Sequence, residues 1–284
     1  MGMEYRDYGH DGVKLSLIGF GAITIMGLEQ SIGNRIARDA FDRGINYFDV
    51  APSYGDAQAR LGPAIVGFRD EIFLACKTAQ RKAEAAQLEF EESLRLLQTD
   101  RFDLYQLHAI TTLDDVETAF APGGAMEVVV KAKERGQIRY VGFSAHSTEA
   151  ALRALDLYPF DSVLFPFNLT SWNIGKFGPD VLGEAQRRGA SRLALKPMAR
   201  TRWADGADRS VHPNCWYEPY TEKVKAEQAW RWTLSLPITA ALPPGDPTLF
   251  SWALEFAERF TPLSDEERAV IEASAAEQVP LFPL

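Results

Sequence analysis

The sequence predicts an α/β fold in which eight parallel strands, each followed by a helix, close into a (β/α)8 TIM barrel. Strand-like apolar runs alternate with helix-like runs along the chain, which is typical of parallel strands joined by crossover helices. Eight such units fit within the 284 residues, and one barrel domain commonly has this length. The first turn, GFGAITIMG, lacks the GxGxxG spacing that an open, doubly wound sheet would normally carry.

The first half of the chain supplies a hairpin and three strand–helix units. The segment MEYRDYGHDGVKLS predicts a hairpin that turns at Asp11-Gly12. Strands are predicted in LSLIGFGA, INYFDVA and EIFLACKT, and helices in EQSIGNRIARDAFDRG, AQARLGPAIVGF and RKAEAAQLEFEESLRLLQ. The third helix is predicted to be amphipathic, with Leu88, Leu94 and Leu97 on related turns.

The second half continues the alternation with five more units. Strands are predicted in RFDLYQLHA, IRYVGFSA, SVLFPFN, SRLALKPM and ITAALPPG. Helices are predicted in a region interrupted by APGGAM, then in STEAALRALDLY, PDVLGEAQRRG, residues 221–235 and PTLFSWALEFAERF. A last, extra helix should begin with the capping box of Ser264 and Glu267. No linker or low-complexity segment interrupts the pattern, so residues 1–284 are predicted to form a single domain.

Composition and charge limit the kinds of partner. The formal net charge of −9 argues against general binding to nucleic acid or anionic membranes, because both require a basic surface. Cys76 and Cys215 form no CxxC, and the four histidines lack metal-ligand spacing, so no metal site is expected. No apolar run approaches the roughly 20 residues of a membrane helix. We expect a cytoplasmic monomer or small homo-oligomer.

Four polar side chains stand at or just after the carboxyl ends of three consecutive predicted strands. Asp49 ends the second barrel strand, and Tyr54 follows in its loop. Lys77 ends the third strand and His108 the fourth. Because residues at the carboxyl ends of barrel strands face the active site, we expect these four side chains to converge at one rim.

Taken singly, each of the four has an ordinary structural explanation, such as a turn former, packing or a solvated strand end. Together they are typical of a proton-donating site. A tyrosine has a pKa of about 10, too high for easy proton transfer at neutral pH, and a nearby ammonium lowers that pKa. A carboxylate holds the ammonium and limits the cost of burying it, while a histidine orients a carbonyl oxygen beside the phenol.

At these residues the sequence resembles the aldo-keto reductase family. The resemblance rests on FDVAPSYG, on Lys77 and His108 at the next two strand ends, and on GQIRYVGFSAHS, and it extends roughly from residue 15 to 260. It implies hydride transfer, without metal, between a nicotinamide cofactor and an aldehyde or ketone, or the matching alcohol or sugar hydroxyl. It also implies that Tyr54 is the general acid in reduction and the base in oxidation, that Lys77 and Asp49 tune it, and that His108 positions the substrate.

The resemblance also implies a cofactor, NADP(H) or NAD(H), and a set of residues that hold it. The family's Ser-Asn pair at the fifth strand reads Ser144-Ala145 here, with His146 next, and Leu164 replaces a usual glutamine at the sixth strand. Leu195 and Lys196 stand where an aromatic residue commonly stacks on the nicotinamide. The residues expected to bind the cofactor are Gly21, Ala22, Ser144, Asn168, Lys196, Pro197, Met198, Gly245 and Asp246.

The cofactor's 2′-phosphate would lie near the run LPPGDPTLF after the eighth strand. Gly245 and a helix beginning near Pro247 can offer backbone N–H groups to a phosphate. Asp246 would repel a 2′-phosphate, whereas a carboxylate can accept from a ribose hydroxyl. The hypothesis is therefore a reduced preference for NADPH and real use of NADH, unless Arg200 or Arg202 supplies the missing positive charge.

The substrate is expected to be a small-molecule carbonyl compound or sugar. The residues predicted to bind it are Ile23, Trp172, Trp216 and Tyr217. The apolar tail QVPLFPL is expected either to dock on the barrel or to meet another subunit. Two alternatives remain open: a cofactor-binding barrel with epimerase- or isomerase-type chemistry, and a non-catalytic regulatory subunit. The complete set of four polar residues argues against the second, because a pure binding protein has no need of Lys77 and Tyr54 together.

Overall fold

The computed structural model describes residues 2–9 and 11–282. The predicted amino-terminal hairpin consists of β1 (Tyr5–Tyr8) and β2 (Val13–Ser16), which pair antiparallel. Tyr8 and Leu15 of the hairpin are fully buried and belong to the apolar cluster inside the barrel. The ring of Tyr8 lies 4.8 Å from that of Phe73, between centroids, and so covers the amino-terminal end of the barrel.

The barrel sheet contains eight parallel strands arranged in chain order. They are β3 (Phe20–Gly21), β4 (Tyr47–Asp49), β5 (Phe73–Thr78), β6 (Phe102–Ile110), β7 (Ile138–Ala145), β8 (Ser162–Phe165), β9 (Ser191–Leu195) and β12 (Ala240–Leu242). A parallel bridge between Ile18 and Ala241 joins the first and last of them, with Gly19 N donating to Ala241 O at 3.0 Å. The predicted (β/α)8 barrel is confirmed.

Helices surround the barrel in the predicted order. They are α1 (Gln30–Asp42), α2 (Ala57–Ile65), α3 (Ala83–Leu96), α4 (Leu113–Phe120), α5 (Ala125–Glu134), α6 (Thr148–Leu157), α7 (Leu169–Asn173), α8 (Pro179–Arg187), α9 (Lys223–Leu234), α10 (Pro247–Glu258) and α11 (Asp265–Ala275). The extra carboxyl-terminal helix α11 begins with the predicted capping box of Ser264 and Glu267. Within the described ranges, no helix has the length and apolar character needed to cross a bilayer.

The apolar face of α3 differs from the prediction at one position. Leu88 is 64% exposed, whereas Ala86, Phe90 and Ser93 are buried. Six residues of helix rotate the chain by about 240°, so Leu88 and Leu94 do not share a face. Spacings of three and four residues, as between Ala86, Phe90 and Ser93, define the buried side.

Three short elements in irregular regions were not predicted. The strands β10 (Ala199–Thr201) and β11 (Glu218–Pro219) pair antiparallel and bring together the two ends of the long loop after β9. The one-turn helix α7 follows β8 directly. Elements this short contain too few residues to produce a periodic pattern of apolar side chains.

Side-chain alternation explains why the polar residues gather at one end of the barrel. Successive residues of a strand point to opposite faces, so Phe73, Ala75 and Lys77 of β5 share the interior face. On β6, Leu104 and His108 do the same. Phe73, Ala75 and Leu104 belong to the interior apolar cluster. Apolar residues therefore fill the amino-terminal part of the barrel, and polar residues occupy its carboxyl end.

The carboxyl-terminal tail docks on the barrel. Leu281 is buried, and its carbonyl accepts from Arg202 Nε at 3.0 Å. Phe282 N donates to Ser171 Oγ at 3.2 Å, and the Phe282 ring stacks on Phe177 at 5.1 Å between centroids. Of the two expectations for this tail, docking on the barrel is therefore the one that the structure shows. Pro283 and Leu284 lie outside the described residues.

Two helical glycines give a matched test of this packing. A Cβ on Gly62 of α2 would lie 2.1 Å from the carbonyl oxygen of Leu96, whereas a Cβ on Gly183 of α8 meets nothing within 4 Å. We expect Gly62→Ala to lower the free energy of unfolding by about 1–3 kcal/mol because two backbones must separate. Gly183→Ala should raise it by roughly 0.5–1 kcal/mol through helix propensity. Urea unfolding of both variants checks this, and equal effects would contradict it.

Candidate active site

A cavity opens at the carboxyl end of the barrel, where the predicted polar residues converge. Its volume is about 80 Å³. Side chains and backbone from the strand ends form its floor, and the long loop after β9 forms part of its cover. It is lined by Gly21, Ile23, Asp49, Tyr54, His108, Ser144, His146, Leu164, Leu195, Lys196, Asn214, Trp216, Tyr217, Leu242, Pro243 and Gly245.

Asp49 and Lys77 form a fully buried ion pair beneath the cavity. Lys77 Nζ donates to Asp49 Oδ1 and also to the carbonyl of Val50 at 3.2 Å. The Tyr47 hydroxyl donates to Asp49 Oδ2 at 3.1 Å, so both carboxylate oxygens have partners. Burial raises the pKa of the Asp49 carboxyl, and the charge of Lys77 opposes that rise. The pair is tolerated because each charge offsets the desolvation of the other.

Tyr54 lies between this pair and the cavity. Lys77 Nζ is 5.4 Å from the centroid of the Tyr54 ring, and the rings of Tyr54 and His108 are 5.8 Å apart in an edge-to-face arrangement. Burial raises the pKa of the Tyr54 phenol well above its ordinary value, and the nearby Asp49 carboxylate raises it further. This rise is opposite in direction to the lowering expected from Lys77 alone. Tyr54 is therefore a neutral phenol that retains its proton.

His108 is a neutral imidazole in this site. Burial lowers its pKa to about 3, and the positive charges of Lys77, Lys196 and Arg81 contribute to the shift. Its Nδ1 lies 3.4 Å from Ser53 Oγ. If the Ser53 hydroxyl donates to Nδ1, the ring proton resides on Nε2, which can then donate to a ligand in the cavity.

The ends of β7 and β9 bring a second pair of basic groups to the cavity. His146 follows the last residue of β7, and Lys196 follows the last residue of β9. Lys196 Nζ lies 2.9 Å from His146 Nε2. Nearby, Ser144 Oγ accepts from the Ala109 N–H at 2.8 Å, which leaves its hydroxyl proton free to donate.

The long loop after β9 covers the cavity. Asn214 Nδ2 donates to the carbonyls of Ile23 and Met26 at 3.1 and 3.2 Å, which attaches the loop to the turn after β3. The Trp216 ring lies 6.0 Å from that of Tyr54, between centroids, and Trp216 remains 56% exposed. Trp203 Nε1 donates to the carbonyl of Cys215 at 2.8 Å within the loop. We refer to residues 202–217 as the covering loop.

Asp246 caps the amino terminus of α10. Its Oδ1 accepts from Leu249 N at 2.9 Å, and its Oδ2 lies 3.0 Å from His212 Nδ1 in the covering loop. The two arginines considered as sources of positive charge are engaged elsewhere. Arg200 pairs with Glu218, and Arg202 donates to the carbonyl of Leu281.

The structure brings most of the predicted site residues to the cavity. The predicted residues that line it are Gly21, Ile23, Asp49, Tyr54, His108, Ser144, Lys196, Trp216, Tyr217 and Gly245. Lys77 lies directly beneath it through its pair with Asp49. The geometry therefore assembles the four proposed catalytic side chains around one point.

Other predicted residues do not line the cavity, and their packing explains why. Asn168 caps α7, accepting from Ser171 N at 2.9 Å through Oδ1 and donating to Lys196 O through Nδ2. Trp172 packs edge-to-face on Trp232 at 5.8 Å between centroids. Four further residues are buried or capping and do not line the cavity. They are Ala22, Pro197, Met198 and Asp246.

The sequence did not identify every lining residue. The sequence analysis places His146 only after the pair Ser144-Ala145, and this position, two residues after Ser144, is the available signal. Asn214 lies in a loop with no periodic pattern, so nothing in the sequence assigned it to the cavity. Leu242 and Pro243 lie at and just after the carboxyl end of the eighth strand. The alternation of strands and helices predicts that this position faces the active site.

The lining groups fit a nicotinamide cofactor in chemistry, but the covering loop restricts the space. The Ser144 hydroxyl can donate to an amide carbonyl, and Leu195 gives an apolar wall. A Cβ on Gly245 would lie 2.8 Å from Ile23 Cγ2 and 3.1 Å from Asn214 O, so the backbones approach closely there. Ligand pockets commonly measure roughly 300–1,000 Å³, and the cavity of about 80 Å³ is smaller. A dinucleotide would therefore extend beyond this cavity.

Over residues 2–9 and 11–282, no group of three or more His, Cys, Asp or Glu side chains has the arrangement of a metal site. Both cysteines are buried free thiols.

Comparison with known proteins gives a consistent relationship. Residues 17–175 match the sequence model of the aldo/keto reductase family. The aldo-keto reductase YhdN of Bacillus subtilis (strain 168) is 34% identical over 186 residues, which cover 59% of this chain and 54% of the relative. L-galactose dehydrogenase of Arabidopsis thaliana is 25% identical over 229 residues, which cover 74% of this chain and 70% of the relative. The match to the first relative thus spans about half of that relative's length.

Solved structures give the same fold. The crystal structure of an aldo-keto reductase from Klebsiella pneumoniae in complex with NADPH superposes with a TM-score of 0.75 at 21% identity, and the match covers 100% of both chains. At that level of identity the similarity establishes the barrel architecture.

The buried pair yields a prediction on stability. Lys77→Met leaves the Asp49 carboxylate buried without its cation, which should cost about 3–5 kcal/mol of unfolding free energy. Without Lys77 the folded-state pKa of Asp49 rises further above its unfolded value. The penalty should therefore be small below the unfolded-state pKa of about 4, should grow as the pH rises from there, and should level off above the folded-state pKa.

Denaturant unfolding of Lys77→Met at pH 5 and pH 8 measures this effect. The double variant Lys77→Met/Asp49→Asn should recover part of the lost stability, because no unpaired charge remains. Lys131→Met, which removes a lysine whose side chain is 62% exposed, is the control and should change stability by under about 1 kcal/mol. A penalty that does not depend on pH would contradict the ion-pair explanation.

Proposed function

Because the chain belongs to the aldo/keto reductase family, we propose that it is an NAD(P)H-dependent oxidoreductase that reduces an aldehyde or ketone, with Tyr54 as the proton donor. The observation that carries the proposal is the assembly of Tyr54, His108 and the Asp49–Lys77 pair around one cavity. A neutral phenol, a neutral imidazole and a buried ammonium within one site are the groups that carbonyl reduction requires.

Tyr54 supplies the proton. Its raised pKa keeps the phenol protonated, which suits a donor in the reductive direction. As the proton moves to the carbonyl oxygen, negative charge develops on the phenol oxygen. The ammonium of Lys77, 5.4 Å from the ring centroid, stabilises that charge. In the oxidative direction Tyr54 would act as the base, and the same raised pKa makes its phenolate costly to form.

His108 orients the substrate. Because its pKa is lowered to about 3, it stays neutral at physiological pH and does not compete with Tyr54 as an acid. With Nδ1 facing Ser53, Nε2 is available to donate to the carbonyl oxygen. This hydrogen bond would place the oxygen next to the Tyr54 hydroxyl.

The nicotinamide cofactor, when bound, supplies the hydride. Ser144 would hold its carboxamide, and Gly21 and Gly245 line the same cavity. Use of this cofactor class is supported by the Klebsiella pneumoniae relative of the same fold, which was crystallised with NADPH.

The proposed substrates are small carbonyl compounds, including sugars. The name of the Arabidopsis thaliana relative, L-galactose dehydrogenase, supports a sugar or its aldehyde form. The aromatic side chains of Trp216 and Tyr217 on the cavity wall offer flat faces for a sugar or an aromatic ring.

For the cofactor we propose real use of NADH beside NADPH. The capping carboxylate of Asp246 places negative charge at the amino terminus of α10, where a 2′-phosphate would otherwise find free N–H groups. Arg200 and Arg202 already have partners within the protein.

Removing the phenol hydroxyl tests the catalytic assignment. Tyr54→Phe should lower kcat for NAD(P)H-dependent reduction of a panel of aldehydes, ketones and sugars by about 10²–10⁴-fold, since it removes the proton donor. Cofactor affinity should stay within about twofold. Steady-state assays that follow the absorbance of NAD(P)H measure kcat, and fluorescence titration measures the cofactor affinity.

Tyr158→Phe, which changes a tyrosine at the end of α6 outside the cavity, is the matched control and should keep wild-type kcat. If wild type and Tyr54→Phe are equally inert on the whole panel while both bind cofactor, the chain is a non-catalytic cofactor-binding protein and the proposal fails.

Cofactor preference is tested at Asp246. Wild type should bind NADPH less than tenfold more tightly than NADH. Asp246→Asn keeps a capping oxygen but removes the charge, and it should shift the affinity ratio towards NADPH by about fivefold, as expected for roughly 1 kcal/mol of repulsion. Titration of the apoprotein with both cofactors gives the ratios. Asp265→Asn, in the first turn of α11, should leave the ratio unchanged.

A further inference from the structure

Lys196 lines the cavity and has no counter-ion in the described part of the chain. Its Nζ contacts His146 Nε2 at 2.9 Å, and no carboxylate pairs with it. The other cavity lysine, Lys77, is paired with Asp49. The two lysines therefore differ: Lys77 belongs to a buried ion pair, whereas Lys196 is a half-buried amine without a counter-ion.

The surroundings of Lys196 strengthen the charge of its ammonium. Its Nζ lies 6.0 Å from the centroid of the Tyr217 ring and 5.7 Å from that of Phe282. Phe282 also stacks on His146 at 5.4 Å between centroids. These aromatic faces exclude water from one side of the ammonium, so its field in the cavity is less screened than at the surface.

The backbone at Lys196 is also unusual. Its φ is +61°, in the left-handed region that residues other than glycine rarely adopt. Such a conformation costs free energy and is typical of residues whose side chain has to point in one direction for function. Asn168 Nδ2 donates to the Lys196 carbonyl at 3.3 Å and so holds this turn in place.

The protonation of the two groups is coupled. Burial lowers the pKa of Lys196 to about 7, and burial together with the charge of Lys196 lowers the pKa of His146 well below its ordinary value. The pair therefore holds at most one positive charge near neutral pH. An anion in the cavity would favour the protonated ammonium and recover the cost of its burial.

We propose that Lys196, held by His146, is an anion-binding subsite in the same cavity as Tyr54 and His108, and that it selects carbonyl substrates that carry a carboxylate. This inference rests on the proposed function, because it concerns the substrate of that site. Lys196 would bind the carboxylate while His108 and Tyr54 contact the carbonyl oxygen. His146 is a positioning residue that fixes the ammonium.

The test uses matched substrates that differ only in charge. The pairs are 4-oxobutanoate against butanal, and 4-carboxybenzaldehyde against 4-methylbenzaldehyde, and kcat/KM is measured for each with saturating cofactor. Wild type should prefer the carboxylate of at least one pair by tenfold or more. Lys196→Met should reduce that preference at least tenfold, and Lys196→Arg should retain most of it. Lys131→Met, which removes an exposed lysine, should keep the wild-type ratio.

Binding of a product-like anion without turnover separates this inference from the proposed function. Quenching of tryptophan fluorescence, to which Trp216 on the cavity wall contributes, reports butanoate and butanamide binding to the cofactor-free protein. Butanoate should bind wild type at least tenfold more tightly than Lys196→Met, and butanamide equally to both. This result supports the subsite even if the protein reduces no aldehyde, in which case only the proposed function fails.

Three results would overturn the inference. In the first, Lys196→Met changes two quantities by less than threefold: the ratio of kcat/KM for the carboxylate substrate to kcat/KM for the neutral substrate, and the affinity for butanoate. In the second, Lys196→Met weakens the binding of NADH and NADPH tenfold and lowers kcat/KM equally for both members of each substrate pair. That result would assign Lys196 to the cofactor phosphates. In the third, borohydride traps a covalent imine between Lys196 and an aldehyde, which makes the amine a nucleophile. Melting temperatures of the variants show that each is folded.

Discussion

The ion pair between Asp49 and Lys77 is the constraint on which the rest of the site depends. Two opposite charges without solvent contact can persist only if their geometry is fixed, because either charge alone would cost several kcal/mol. β4 and β5 lie side by side in the barrel and present both side chains to its interior. Tyr47, from the same face of β4, completes the coordination of the carboxylate. The pair thus fixes the floor against which Tyr54 packs.

Burial is the main reason that Tyr54 and His108 are both neutral. Burial raises the pKa of the Tyr54 phenol, and the Asp49 carboxylate raises it further. Burial lowers the pKa of the His108 imidazole, and nearby positive charges, Lys77 among them, contribute. Each member of the buried pair thus adds to one of the two shifts.

Much of this was predictable from the sequence, for a physical reason. The period of two along a strand and the alternation of strands with helices place Asp49, Lys77 and His108 on one face and at one end. Side chains outside that periodicity were less predictable. Asn168 and Trp172 have residue types that suit a ligand site, yet the same amide and indole groups serve helix capping and packing. The direction of the pKa shift at Tyr54 depends on its burial and on the pairing of Lys77 with Asp49. The sequence alone does not give these contacts.

The covering loop has a consequence for the timing of catalysis. Asn214 attaches it to the turn after β3, and His212 contacts Asp246 at the start of α10. Loosening these contacts should therefore speed the entry and exit of a large ligand, and where release of product limits turnover, a weaker attachment gives a faster enzyme. The attachment of the covering loop would then set a barrier to ligand exchange that is separate from the chemical step.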